Sequence, residues 1–110
     1  MSELQLRVVS PDSVLFEGRA ASVVAPAWDG RVGILPGHAP MIALLGSGEL
    51  SIDLPAGGSE RFFVAGGVLK VEGNDLIILT EYGGTEAPEE LPAGAELDLG
   101  EILEAMESAG

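Results

Sequence analysis

Over its first eighty or so positions the chain is written in short apolar stretches, each ended by glycine, proline or an Asp/Asn turn. That punctuation suits strands and leaves no room for a helical period. Leu4, Leu6 and Val8 alternate with Gln5, Arg7 and Val9 before Ser10-Pro11-Asp12 breaks the run, and Val14 to Phe16 restart it. Ser22 to Ala25 form another short strand closed by Pro26. Leu50, Ile52 and Leu54 alternate with Glu49, Ser51 and Asp53, a half-buried strand with one face in water. Pro55-Ala56-Gly57-Gly58 is the turn after it. Arg61 to Ala65 and Val68 to Glu72 flank Gly66-Gly67, where a bend or bulge is expected. Gly73-Asn74-Asp75 reads as a hairpin turn, and Leu76 to Leu79, apolar on both faces, as a central strand. Many short strands with frequent turns predict an all-β sandwich or barrel. Aromatic residues make up only 5% of the chain, so its core must be built from Val, Leu, Ile and Ala.

The last quarter is written differently. Thr85 to Ala95 are rich in Pro, Gly, Ala and Glu and read as a linker. Asp98 followed by Glu101 is similar to a capping box, and Leu99, Ile102, Leu103 and Met106 fall on one helical face. The expected organisation is a β domain over 1–84, a linker over 85–97 and one short acidic helix over 98–109. A helix of about ten residues is too short to be stable alone and spans only about 15 Å.

Charge follows the same division. Residues 1 to 70 hold seven acidic and five basic residues, whereas 71 to 110 hold eleven acidic and no basic one. A net charge of −13 repels phosphate and anionic lipid, so neither nucleic acid nor direct insertion into lipid is expected. With no cysteine, disulfides and thiolate metal sites are excluded. No apolar run reaches the roughly 18 residues of a membrane span, and no basic, then apolar, N-terminal signal is present. The expectation is a soluble cytoplasmic protein.

Catalytic chemistry finds no footing. His38 is the sole histidine, no G-x-S-x-G elbow accompanies it, and a cupin-like metal site would need several. No glycine cluster is followed by the Lys-Ser/Thr of a phosphate loop, and Gly46-Ser47-Gly48 precedes Glu49, the wrong sign for phosphate. The scattered acids show no pairing suited to general acid/base work. No catalytic residue, cofactor site or metal site is expected. His38 is then either a loop histidine bonded to a turn or a partner contact. Trp28, beside the turn Asp29-Gly30, is either a lid on the core edge or an interface anchor.

The densest motif is Gly30-Arg31-Val32-Gly33-Ile34-Leu35-Pro36-Gly37-His38-Ala39-Pro40. It is joined in order by Val8-Val9-Ser10-Pro11-Asp12, Phe16-Glu17-Gly18, Leu45, Gly48, Leu50, Phe63 to Val71 with its double glycine, Asn74, and Leu76 to Leu79. In this set the chain resembles the epsilon subunit of F-type ATP synthases over about residues 3–82. The resemblance implies a flattened β-sandwich of about ten strands and a non-catalytic part of the rotor. It implies that the gamma subunit and the c-ring loops are direct partners and the catalytic alpha/beta head an indirect one, at the cytoplasmic face of a bacterial inner membrane. It further implies that Ser10, His38, Met41 and Ala43 lie towards gamma, and Trp28, Asp29 and Arg31 towards the c-ring. No cofactor is implied.

Two departures stand out. Arg31 occupies a position often acidic in the family, so Asp29 is expected to share the c-ring contact with it. The C-terminal region is shorter than the two-helix hairpin that inhibits hydrolysis in many relatives. It also lacks basic residues with which to meet acidic segments of the head. The expectation is a subunit that couples without inhibiting by extension and binds no ATP. The alternative is a stand-alone β-sandwich interaction module.

Overall fold

The computed structural model describes residues 3–85, which form eight strands and no helix. They are β1 (Leu4–Val9), β2 (Val14–Ala20), β3 (Ser22–Ala27), β4 (Gly30–Ile34), β5 (Met41–Leu44), β6 (Ser47–Asp53), β7 (Ser59–Glu72) and β8 (Asp75–Gly84). The expected linker and acidic helix lie outside the described residues, Thr85 apart.

The strands hydrogen-bond in the order β2-β1-β8-β7-β6-β3-β4, with β5 also paired to β7. All pairs are antiparallel except β1 with β8. The sheet folds over itself because β7 and β8 are long enough to belong to two layers. The second half of β7 pairs with β5, and the first half of β8 with β1, which carries β2. The first half of β7 instead pairs with β6, which leads to β3 and β4. Each layer thus holds five strand segments, which accounts for the ten or so that the family resemblance implies.

The layers are joined at Gly66-Gly67. The β7–β8 register is the same on both sides of this point, from Phe63↔Gly84 to Glu72↔Asp75, with Gly66 left out of the ladder and its N–H donating to the Gly46 carbonyl at 3.2 Å. The parity of the core-facing residues nevertheless changes from Phe62 and Val64 to Leu69 and Val71. The double glycine is therefore a corner inside one continuous strand rather than a gap between two. Gly67 has φ +122°, and a Cβ there would collide with the Leu79 carbonyl oxygen. Only glycine fits. The buried Thr80 hydroxyl lies 2.9 Å from the Gly66 carbonyl and 2.6 Å from the Tyr82 carbonyl, and its single proton satisfies either at the corner.

Between the layers lies one core. It includes Leu4, Leu6 and Val8 of β1, Val23 and Ala25 of β3, Ile34 of β4, Leu50 and Ile52 of β6, Leu69 and Val71 of β7, and Leu76 and Ile78 of β8. The alternation read in β1 and β6 is the observed burial pattern. β8 sits between β1 and β7, the central place that Leu76 to Leu79 suggest. Several boundaries differ from the sequence reading. Pro26 does not close the third strand: β3 runs through it to Ala27, because Pro26 pairs with Arg31 on the edge strand β4. β8 continues past Leu79 to Gly84, held by the first half of β7. β2 runs on to Ala20, because Glu17 and Arg19 complete its alternation against β1. The first half of the Gly30–Pro40 motif is strand β4, whose register with β3 absorbs Gly30 and Gly33.

Candidate partner-binding surface

Strand register determines which side chains point away from the core. On the outer face of the first layer three cross-strand rows follow one another. The first is Glu72, Asp75, Gln5 and Arg19; the second is Ile42, Lys70, Ile77, Arg7 and Glu17; the third is Leu44, Val68, Leu79, Val9 and Val14. The face is therefore polar at one end and apolar at the other. Arg7 and Glu17 form an exposed ion pair at 2.9 Å, a solvated contact of small energetic weight. At the apolar end Val68 is fully buried, Leu44, Leu79 and Val9 are half-buried and Val14 is exposed, while Ile42 in the middle row is 56% exposed.

Ser10 and His38 border this face at its two ends. Ser10 follows β1 directly beyond the apolar row, in a turn where its backbone N–H donates to the Ser13 carbonyl at 2.9 Å. His38 belongs to the loop between β4 and β5. That loop touches the β7–β8 turn, beside the start of β1, through a 2.7 Å bond from the Gly37 N–H to the Asn74 side chain. Ser10 and the Gly37–Asn74 contact thus lie at opposite ends of β1, a strand of roughly 16 Å at about 3.3 Å per residue. The His38 ring donates from Nδ1 to the Ala39 carbonyl at 2.7 Å, which leaves Nε2 for another contact.

The other expected contact residues gather elsewhere. The end of β3 is stapled to the end of β5: the Trp28 N–H donates to the Leu44 carbonyl at 3.0 Å and the Gly46 N–H to the Pro26 carbonyl at 2.9 Å. Between the start of β4 and β5 lies a cleft of about 530 Å³, lined by Trp28, Asp29, Arg31, Met41, Ile42 and Ala43 among others. Trp28, Asp29 and Arg31, expected at one interface, and Met41 and Ala43, expected at another, share this single cleft. Met41 and Ala43 pack against the core, with Ile42 between them pointing outward. Trp28 is 70% exposed, which rules out the lid reading. Arg31 is exposed and, among the described residues, takes no part in the four ion pairs that hold the other basic side chains. Sequence reading overlooked Ile42. Its signal is an apolar residue at the outward parity of a short strand, which becomes visible only once the register is known.

A packed sandwich with a half-buried apolar row, exposed Ile42 and Trp28 and charged strand-end loops has the form of a β-sandwich docking domain. Comparison with known proteins gives its family. Residues 3–83 match the family model described as ATP synthase, Delta/Epsilon chain, beta-sandwich domain, and the chain belongs to this family. It is 38% identical over 81 residues to the ATP synthase epsilon chain of Psychrobacter cryohalolentis, covering 74% of this chain and 59% of that one. It is 40% identical to the epsilon chain of Chlorobium limicola, covering 70% of this chain and 88% of that one. With the epsilon chain of Bordetella avium it shares 36% identity over 99% of this chain and 72% of that one. The fold is similar to a chain in the Euglena gracilis mitochondrial ATP synthase (OSCP/F1/c-ring), with a TM-score of 0.71 at 21% identity, covering 99% of this chain and 64% of that one. It is also similar to a chain in the Tetrahymena thermophila mitochondrial ATP synthase central stalk and c-ring, with a TM-score of 0.63 at 16% identity. Membership of this family makes the chain one of the non-catalytic epsilon type.

Proposed function

We propose that the chain works in the central stalk of an F-type ATP synthase, coupling rotation of the ion-driven c-ring to ATP synthesis in the alpha/beta head. In this reading the gamma subunit covers the outer face of the first layer, from Ser10 at its apolar end to His38 at its polar end. The c-ring loops meet the β3–β4 tip, where Trp28 supplies buried area and Asp29 and Arg31 supply charge. The complex lies at the cytoplasmic face of a bacterial membrane. Among the described residues no helix is long and apolar enough to cross one.

The observation that carries this reading is the outer face itself. A sheet that already buries one side in its own core keeps half-buried Leu44, Leu79 and Val9 on the other, with exposed Val14 at the end of their row and exposed Ile42 in the row beside it. Such a row is costly to leave in water and fits a large protein surface. Rigidity supports the same reading. A load-transmitting part needs fixed geometry, and the corner at Gly66-Gly67 welds the two layers through continuous strands. Residues 86–110 carry only negative charge, so a coupling role without inhibition of hydrolysis fits this chain.

The test is reconstitution. Added to F-type ATP synthase membranes stripped of their own epsilon subunit, the chain should restore ATP-driven ion pumping. Cysteines placed at residues 28 to 31 should crosslink to the c-ring. Pumping that stays at the stripped level would refute the coupling role, and crosslinks confined to other subunits would refute the c-ring contact.

A further inference from the structure

Leu35-Pro36-Gly37-His38 is a β-turn closed by the His38 N–H donating to the Leu35 carbonyl at 3.1 Å. Pro36 takes its second position and Gly37, at φ +82°, its third, the arrangement of a type II turn. Within such a turn the amide of the third residue has no partner of its own. Here the Gly37 N–H donates to Asn74 Oδ1 at 2.7 Å, across 37 positions of sequence. Asn74 is itself anchored. It sits in the two-residue turn between β7 and β8, closed by the pair Glu72↔Asp75, and its carbonyl accepts the Gln5 N–H at 2.7 Å.

We propose that Asn74 is a positioning residue for partner binding. Its Oδ1 fixes the orientation of the Pro36–Gly37 peptide and so the face that the His38 loop offers to gamma. This inference rests on the coupling reading above. Proline at the second position is compatible with both type I and type II turns, and glycine at the third accepts either sign of φ. The central peptide can therefore rotate between two orientations unless something outside the turn holds it. The bonds from His38 N to Leu35 and from His38 Nδ1 to Ala39 stay inside the loop. Among the described residues, the Asn74 bond alone ties positions 36–40 to another element by a hydrogen bond. Because the peptide is planar, holding the Gly37 N–H towards Asn74 points the Pro36 carbonyl the opposite way. A rotation would exchange the acceptor and the donor on the exposed side of the loop.

The Asn74→Ala and Asn74→Asp variants of the full chain test this, the second keeping an acceptor at the same reach. Moderate salt screens its added charge. In Asn74→Ala the Gly37 amide should exchange with solvent about two- to fivefold faster, the worth of one surface hydrogen bond. The dissociation constant for the cognate gamma subunit should rise by a similar factor. Asn74→Asp should restore both. His38→Ala should cost less binding in the Asn74→Ala background than alone. Unchanged Gly37 exchange in Asn74→Ala would overturn the proposal, as would equal loss of binding in both variants. A wild-type chain that does not bind gamma would refute the coupling reading and the partner half of this proposal. The Gly37 exchange would then decide the anchoring half by itself.

Discussion

Single residues set the tolerances of this molecule. At Gly67 any Cβ meets the Leu79 carbonyl, and φ is in a region that side chains avoid. Gly67→Ala should therefore cost about 3 kcal/mol or more, read from denaturant unfolding. A midpoint like the wild type's would mean the corner can relax. Trp28 is the opposite case. It is 70% exposed, so Trp28→Ala should change stability by only about 0.5 kcal/mol. If it anchors the c-ring contact, the same change should weaken assembly by about tenfold or more in a binding assay. Trp28 illustrates what sequence leaves open: lid and anchor are equally consistent with a tryptophan beside a turn, and only its exposure separates them. Asn74 was legible as a turn residue. Its bond to Gly37 was not, because nothing local links positions 37 apart.

At the scale of elements, the strand alternation made much of the architecture legible. Leu4, Leu6 and Val8 of β1 and Leu50 and Ile52 of β6 face the core as their spacing demands. The corner in β7 was visible as a double glycine. Whether the chain stops there or runs through it depends on β8, a partner that periodicity does not see. The same holds for the outer face. Ile42 and Leu79 are apolar in a pattern that could bury either side, and pairing with β7 decides. The two faces should respond differently to substitution. Ile52→Ala, fully buried, should destabilise by about 2–5 kcal/mol. Ile42→Asp, at an exposed outer position, should leave the unfolding midpoint nearly unchanged and lower gamma affinity by about tenfold or more. Calorimetry beside thermal unfolding checks both. Loss of stability in Ile42→Asp equal to that of Ile52→Ala would contradict the assignment of faces.

For the molecule as a whole, the fold follows from a ten-segment sandwich whose core, among the described residues, runs from Leu4 to Ile78. If that core is sufficient, a chain ending at Thr85 should unfold cooperatively, with a midpoint close to that of the full chain. Because residues 86–110 carry acids and no bases, their removal should leave ATP hydrolysis by the assembled enzyme nearly unchanged. A large rise in hydrolysis would reveal an inhibitory tail. The sites were less legible than the fold. Contact residues were assigned by resemblance to two interfaces, and Met41 and Ala43 also line the cleft that Trp28, Asp29 and Arg31 line. That grouping depends on where β4 and β5 lie in space, a feature of three dimensions with no period in sequence. If the outer face of the first layer receives the gamma subunit, titration of the full chain into its cognate gamma subunit by calorimetry should show one-to-one binding. That binding should persist from low to moderate salt, because an apolar row carries it, and Ile42→Asp should weaken it. No binding at either salt, or binding indifferent to Ile42, would refute this role of the face.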